Sequence, residues 1–293
     1  MIYLLLSIAT STLIFIVFKL IARNKINTFQ AIVVNYLVCV GVGVISEGNI
    51  PGFRVAMEEG WFIPAVLMGF LFISVFYVTA LTVKHSGMAV ASIANKLSLI
   101  IPATLAFVLY DDVATVAKIS GIIAAMVAVV LASYKKESAA AKNPLKYILF
   151  PALVLAGSGI VDACAKYCQE NYLDATAFNG FLICVFGTAA TTGLIILAAA
   201  YLKNRHVVSG KSILYGIMLG IPNYGSMYFL IAALDHPMWN DSSTFFPLNN
   251  ISIVITTAIA GWIIFKEKLS ALNLLGIVLA IAAIFMITFE QWR

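Results

Sequence analysis

Two runs of sequence, GIIAAMVAVVLAS at residues 121–133 and GIVLAIAAIFMIT at residues 276–288, consist of apolar and small residues without a charge. Each run begins nine residues after an acid, which is Asp112 in the first case and Glu267 in the second. With their apolar neighbours, both approach the roughly 20 residues that cross a hydrocarbon layer about 30 Å thick at 1.5 Å per helical residue. We therefore expect both to be membrane-spanning helices at corresponding positions of a repeated unit.

The rest of the chain has the same apolar character. Of its 293 residues, 62% are hydrophobic and 11% are charged, and the mean hydropathy is +1.01, whereas soluble domains contain about 25% charged residues. The alternation of apolar and polar residues that marks a membrane β-barrel is missing, so the spans are predicted to be helices. The sequence indicates an all-α integral membrane protein with ten transmembrane helices, at about residues 2–21, 28–46, 61–83, 87–110, 113–133, 146–168, 175–201, 211–233, 241–265 and 270–289.

The ten spans divide into two units of five. The first unit is predicted at residues 1–134, a charged and small-residue-rich linker at 135–145, and the second unit at 146–293. Because five is odd, the units would enter the membrane from opposite faces, which defines an inverted repeat with a binding site near the midplane. Short echoes such as FYVTAL and FLIAAL support the repeat, although any two apolar helical runs look alike.

The chain resembles the EamA-like branch of the drug/metabolite transporter superfamily over essentially its whole length. The resemblance rests on ten spans in two halves, on the acid nine residues before glycine at both junctions, and on Pro102 ten residues before Asp112. Asp111 and Asp112 stand where the family usually has Gly-Glu, and the second half has Lys266 and Glu267 there without the matching proline. The resemblance implies a secondary transporter of small organic metabolites, more often an exporter than an importer.

The distribution of basic residues predicts an orientation in the inner or plasma membrane. Lysine and arginine total 13 on the side of the first, third, fifth, seventh and ninth links and 4 on the other side. The positive-inside rule then places both termini outside. Members of the similar family are usually drawn with both termini in the cytoplasm, and both views put the termini on the same side.

Lys96 lies near the centre of the fourth predicted span, in ASIANKLSLIIP at residues 91–102. A charge at this depth costs about 2.5–3.5 kcal/mol on insertion scales, so it normally faces a cavity or a partner. One interpretation is a structural lysine satisfied by helix carbonyls or a buried acid. The other, which we favour, is a binding residue.

Further polar and aromatic residues could share a cavity with this lysine. Asp162 could pair with Lys96 across the halves or with Lys166 on its own helix, and the serines could serve only as contacts between helices. Asp111, Asp112 and Glu267 are interpreted as structural acids at helix starts. The residues predicted to bind substrate are Lys96, Asn95, Ser92, Asn249, Asn250, Asp162, Tyr77 and Tyr228.

These residues predict a function in transport. A single ammonium group flanked by amides suits a substrate with a carboxylate, such as an amino acid, and alternating access would move it. No P-loop is present, so a gradient would drive transport, with a proton as candidate coupling ion. The alternatives are a passive facilitator or channel and an exporter of neutral drugs.

Other classes of protein fit the sequence poorly. Only Lys96 and Asp162 are ionisable at bilayer depth, which argues against an enzyme, and no histidine pair has metal-ligand spacing. No cofactor or metal is expected. The net charge of +5 falls mostly in loops and gives no reason to expect nucleic acid as a partner. The expected partners are a small-molecule substrate and the lipid bilayer, with the chain acting as a monomer or homodimer.

Overall fold

The computed structural model describes residues 2–47, 53–109, 115–133, 146–173, 177–204, 207–234 and 242–288. Within these ranges the regular secondary structure is entirely helical, as the composition predicts. Asp111, Asp112 and the predicted linker at 135–145 lie outside the described residues. The predicted roles of these two acids therefore stay predictions.

Twelve α-helices and one 3-10 turn are described in chain order. They are α1 (Ile2–Arg23), α2 (Thr28–Glu47), α3 (Phe53–Glu58), α4 (Phe62–Ser86), α5 (Met88–Lys96), the 3-10 turn Leu97–Leu99, α6 (Ile100–Leu109), α7 (Val116–Ser133), α8 (Lys146–Asn171), α9 (Phe178–Asn204), α10 (Gly210–Leu234), α11 (Ser242–Phe265) and α12 (Ala271–Thr288).

Several of these helices are long and apolar enough to cross a bilayer. Among the described residues, six segments meet this criterion by length and composition, and they belong to α1, α2, α4, α8, α9 and α11. Shorter apolar helices occur at Met88–Pro102, Ile119–Ala132 and Ala271–Met286. The chain is therefore a multi-pass α-helical membrane protein.

Short polar caps fix where the helices begin. The Asn27 side chain accepts the Gln30 amide at 3.2 Å at the start of α2, and Ser209 Oγ accepts the Ser212 amide at 3.1 Å at the start of α10. At the start of α12, Ser270 Oγ accepts the Asn273 amide at 3.2 Å while Asn273 Oδ1 accepts the Ser270 amide at 3.0 Å. Such reciprocal capping satisfies amides that have no partner inside the helix.

The helices pack around α1 and form two apolar clusters. α1 lies against α10, α11, α4 and α5, while α2 lies against α10 and α9, and α4 against α8 and α9. The larger cluster joins residues of α1, α2, α4, α9 and α10, and the smaller one joins α5, α7, α11 and α12. The fourth helical segment thus lies between the two clusters, beside α8 and α11.

The two runs that opened the sequence analysis form one close interface. They lie in α7 and α12, which pack along each other. A Cβ atom added to Gly276 would lie 2.5 Å from the backbone nitrogen of Ala132, so only glycine permits this separation. The Asn273 side chain also donates to the Ala132 carbonyl at 2.7 Å. The glycine nine residues after Glu267 therefore has a packing role.

Candidate functional site

The fourth segment, predicted as one helix over residues 87–110, is divided in the structure. α5 ends at Lys96, the 3-10 turn follows, and α6 begins at Ile100. Pro102 accounts for the position of the break, because proline cannot donate to the carbonyl four residues earlier, at Ser98, and its ring crowds that carbonyl. A 3-10 stretch inside a longer helix often marks a functional site. The lysine that the sequence singled out thus lies where the helix is interrupted.

A group of polar side chains connects this break to α8. Asn95 donates from Nδ2 to Ser158 Oγ at 2.9 Å, and Ser98 Oγ lies 2.6 Å from Asp162 Oδ2. Ser98 Oγ also lies 2.6 Å from the Asn95 carbonyl, so its single proton serves one of the two acceptors at a time. Asn95 and Asp162, both predicted from the sequence, belong to one hydrogen-bonded group.

Lys96 and Asp162 lie near each other where the fourth segment packs against α8. Each is the charged group that acts electrostatically on the other, so the structure brings Asp162 near Lys96, the first of its two expected partners. The Asp162 side chain is exposed, and the Lys96 side chain is half-buried. A carboxylate exposed to hydrocarbon would be costly. We therefore infer that the Asp162 carboxylate faces the interior of the bundle, where water or a ligand could reach it.

Two glycines set the distance between α8 and its neighbours. A Cβ atom on Gly159 would lie 2.5 Å from Ile101 Cδ1, and one on Gly157 would lie 2.5 Å from Val75 Cγ2. The small residues at these positions let α8 approach α4 and α6 closely. This approach brings Ser158 and Asp162 within reach of the interrupted fourth segment.

The two asparagines of α11 point in different directions. Asn249 is buried and its Oδ1 accepts a hydrogen bond from Ser7 of α1 at 3.3 Å. Asn250 is half-buried and lies one turn before Val254, on the face that packs against α5. Residues one turn apart share a helix face, so Asn250 is the amide of α11 that faces the fourth segment. Asn249 contacts α1 instead, and its predicted role in binding stays a prediction.

Three other predicted binding residues lie away from this group. Ser92 is fully buried and donates to the Ala89 carbonyl at 2.9 Å, so its hydroxyl is satisfied within its own helix. Tyr77 packs edge-on against Phe29 of α2, with ring centroids 5.9 Å apart. Tyr228 is exposed and stacks on Tyr224, in an aromatic row along α10. Among the described residues, no side-chain hydrogen bond or ring contact joins any of the three to Lys96 or Asp162, and their predicted roles in binding stay predictions.

The contacts of Glu267 hold together the helices at one end of α5. Its carboxylate forms an ion pair with Lys19 Nζ at 2.5 Å and accepts the Met88 amide at 3.2 Å. A Cβ atom on Gly261 would lie 2.8 Å from this carboxylate, so only glycine leaves room for it there. Gly87, whose amide group precedes Met88, has φ 103°, a conformation that favours glycine. Glu267 thus joins α1, the α11–α12 link and the amino end of α5.

The helix that begins at Met88, α5, is buried along most of its length. All residues from Met88 to Ala94 are buried, so no open surface runs along α5 from Glu267 to Lys96. Glu267 was interpreted as an acid at the start of its own helix. That helix is capped by Ser270 and Asn273 instead, and Glu267 caps α5. The Glu267 carboxylate does lie at the amino end of a helix, as predicted, but that helix is α5 and not α12.

Sequence reasoning missed two members of the site, Ser98 and Ser158. Ser98 follows Lys96 by two residues and would point away from it on a regular helix. The interrupted helix makes it a partner of Asp162 instead. Pro102 was the signal that could have shown the break. Ser158, between two glycines, showed only the small-residue pattern of a helix contact.

Comparison with known proteins identifies a shared fold, but the two similar proteins described below have no named activity. No family model matches the chain. An uncharacterised protein of Haemophilus influenzae is 28% identical over 288 residues, which cover 96% of both chains. A protein of known crystal structure matches 99% of both chains with a TM-score of 0.61 and 14% identity. The arrangement of helices therefore recurs in a solved protein, and function must be argued from the site.

Proposed function

We propose that this chain is a secondary transporter of the drug/metabolite type, which moves a small metabolite with a carboxylate group across the inner or plasma membrane. The observation that carries the proposal is Lys96, an ammonium at an interrupted helix that faces an exposed carboxylate, Asp162, inside a membrane-embedded bundle. Interrupted helices are where transporters of this kind bind substrate. The polar side chains of this site lie between helices that are otherwise apolar.

The pattern of helix packing supports an inverted repeat of residues 1–134 and 146–293. In the proposed repeat, α1, α2, α4, the fourth segment and α7 correspond to α8, α9, α10, α11 and α12. When each helix is replaced by its counterpart, the α1–α10 contact becomes α8–α4, and the α2–α10 contact becomes α9–α4. The α1–α11 contact becomes the contact of α8 with the fourth segment. All of these contacts are present, and the α2–α9, α5–α11 and α7–α12 contacts exchange with themselves. Ten spans in two oppositely inserted units account for this pattern.

Some contacts break this symmetry, and those that α1 makes bear on alternating access. α1 packs against α4 and α5 of its own half. The Lys19–Glu267 pair joins this half to the α11–α12 link at one end of the bundle. We infer that a substrate cavity at Lys96 is closed at this end and opens toward the other end, the end of α8 that follows Asp162. By the positive-inside rule the closed end is cytoplasmic. Opening it while closing the other end would move a substrate past Lys96.

The charges at the site favour a zwitterionic substrate such as an amino acid. Lys96 would bind the substrate carboxylate, and Asp162 would hold the substrate ammonium or the coupling proton. Asn95 and Asn250 would orient polar groups on either side. In the empty site the two charges balance each other, so a substrate with both charges replaces that balance without leaving an unpaired ion.

Thermal stabilisation by defined ligands tests the substrate class. Purified protein would be heated with amino acids and with the corresponding amino acid amides, since bound ligand raises the unfolding temperature. We expect stabilisation by an acid and not by its amide, and loss of that effect in Lys96→Met but not in Lys203→Met, an exposed lysine at the end of α9. Equal stabilisation by acid and amide, or full retention in Lys96→Met, contradicts the assignment.

Transport against a gradient separates this function from passive movement. Proteoliposomes that contain the protein would be given the stabilising amino acid at equal concentration on both sides, with and without a proton gradient. Accumulation that depends on the gradient supports a coupled transporter. Equilibration without accumulation would instead identify a passive facilitator that uses the same site.

A further inference from the structure

A polar pocket lies at the end of the bundle where Lys19 pairs with Glu267, apart from the site at Lys96. It is an open pocket of about 500 Å³ between the ends of α1, α4 and α11. Its wall contains no acid and four cations. The lining residues are Lys19, Ala22, Arg23, Lys84, Ile264, Phe265 and Lys266.

Most of the positive charge in this pocket is uncompensated. Within the part of the chain that the structure describes, Lys19 pairs with Glu267, while no ion pair or side-chain hydrogen bond engages Arg23, Lys84 or Lys266. Cations are favoured near helix carboxyl ends, and three such ends meet here. Each end carries only about half a negative charge. These ends and Glu267 together do not balance the four cations.

The local backbone holds the cations in one place. Lys19 and Arg23 are four residues apart, so they extend from the same face of α1. Lys266 has φ 53°, an uncommon conformation for a residue other than glycine. This turn lets the Glu267 amide bond back to the Gly261 carbonyl at 3.0 Å. The pocket is therefore built on fixed elements and does not depend on a flexible surface loop.

We propose that this pocket binds a phosphate group, carried by an anionic lipid or by a soluble phosphorylated compound. Several cations around one space suit a group with two or three charged oxygens. The pocket lies at the ends of helices that are long and apolar enough to cross a bilayer, and basic pockets between transmembrane helices bind lipid headgroups. Exposed apolar residues beside it, Trp262, Ile263 and Ile264, provide a surface for acyl chains.

Occupation of the pocket would also act on the closed end of the transport cavity. Lys19 lines the pocket and is the partner of Glu267. A phosphate would compete with Glu267 for this ammonium, which would loosen the contact between α1 and the α11–α12 link. The binding itself does not depend on the transport function proposed above.

The experiment compares two paired variants in their ability to bind phosphate groups. Arg23→Gln with Lys84→Gln removes two cations from the pocket and leaves the Lys19–Glu267 pair in place. The control, Lys203→Gln with Lys211→Gln, removes two cations from the α9–α10 link. That link lies at the same end of the bundle, since the Val207 carbonyl accepts a hydrogen bond from Gln30 at the start of α2.

One arm measures lipid, and the other measures soluble phosphate. In the first, retention of phosphatidylglycerol against phosphatidylcholine is measured by native mass spectrometry. In the second, binding of inorganic phosphate is measured by thermal shift against chloride at equal ionic strength. We expect the pocket variant to bind about 30-fold more weakly, since each cation near a membrane surface contributes about fivefold. The control should bind as the wild type does.

The arms identify the source of the phosphate group and can overturn the proposal. Selective retention of phosphatidylglycerol identifies a lipid, and a phosphate shift beyond that of chloride identifies a soluble ligand. Equal binding by the pocket variant and the wild type in both arms overturns the proposal. So does an equal loss in the control variant, or a chloride effect as large as that of phosphate without lipid selectivity.

Discussion

The fourth and ninth helical segments correspond to each other in the proposed repeat, yet they are built differently. The fourth is divided at Lys96 by the 3-10 turn and carries a charge at the break, while the ninth, α11, is a single helix that carries Asn249 and Asn250. An interruption frees backbone groups and redirects side chains, whereas a regular helix presents one face to each neighbour. The difference indicates that, of these two segments, the fourth supplies the cation of the site, and the ninth supplies one amide and a packing surface.

The largest expected effect comes from removing the charge of the fourth segment. Lys96→Met should abolish amino acid exchange in proteoliposomes, because Lys96 is the cation at the interrupted helix that acts on Asp162 and is proposed to receive the carboxylate. Asn250→Ala should lower apparent affinity by about tenfold or less, the value of one hydrogen bond. Exchange would be measured with the amino acid that stabilises the purified protein best.

Two outcomes of that comparison would be informative. Equal losses in the two variants would mean that both segments contribute directly and equally to substrate binding. Wild-type exchange in Lys96→Met, with the protein inserted normally, would remove the lysine from the site altogether. Lys203→Met, at the exposed end of α9, should exchange normally and serves as the control.

The close approach of α8 to the interrupted segment gives the next largest effect. Gly159→Ala places a methyl group 2.5 Å from Ile101 Cδ1 and should destabilise the protein by about 1–3 kcal/mol through overpacking. Gly187→Ala is the matched control, since its added Cβ has no neighbour within 4 Å. There, the higher helix propensity of alanine should leave stability equal or slightly raised.

Thermal unfolding in detergent, followed by circular dichroism, would measure both glycine variants. We also expect Gly159→Ala to weaken substrate binding, because the displaced helix carries Ser158 and Asp162. A variant as stable as wild type would show that α8 can shift without cost, and that the narrow separation does not position the site.

Part of this site follows from sequence because the bilayer is such a restrictive solvent. A lysine or an aspartate at span depth needs a partner, and this reasoning alone leads to Lys96 and Asp162. The rotation of each helix is harder to predict, since a span that is apolar on all sides has no marked face. Tyr77 and Asn249 were for this reason assigned to the cavity, although they contact α2 and α1.

Other features depend on contacts that are distant in the chain. Glu267 acts on Lys19 and Met88, which are 248 and 179 residues away. Local rules predict a carboxylate at an amino end of a helix, but they cannot say which helix receives it. The break at Leu97–Leu99 was a different case, because Pro102 carried the information and the span was nevertheless treated as one helix.

Substitution of Glu267 should have a smaller effect on stability. This residue follows the ninth segment, α11, and caps α5 of the fourth segment. Glu267→Gln removes the charge that pairs with Lys19 and caps α5, and should cost about 1–2 kcal/mol of stability for this partly buried group. Glu58→Gln, on the exposed surface of α3, makes the same chemical change and should cost little.

Chemical labelling would show whether the bundle also opens at Glu267. In a background without native cysteines, Ala89→Cys introduces a thiol at a buried position of α5. A water-soluble maleimide should react slowly with it in the otherwise normal chain and faster when Glu267→Gln is added. Unchanged labelling would mean that Glu267 contributes to stability without closing the cavity.

The smallest expected effect is at the contact between α1 and α11, where the ninth segment differs most from the fourth. Thr12 Oγ1 and Thr256 Oγ1 are 2.8 Å apart, and both also reach carbonyls of their own helices, Ile8 and Ser252. Since those carbonyl contacts satisfy each hydroxyl alone, the bond between the threonines should be worth about 0.6 kcal/mol, the average for such pairs in a membrane protein. A double-mutant cycle of Thr12→Val and Thr256→Val, measured by thermal unfolding, isolates this coupling.

A coupling near zero would mean that the Thr256 hydroxyl is stabilised by the Ser252 carbonyl of its own helix and not by Thr12. A coupling well above 1 kcal/mol would mean that α1 and α11 move as one body, so that the ninth segment contributes to transport by carrying α1 rather than by touching substrate.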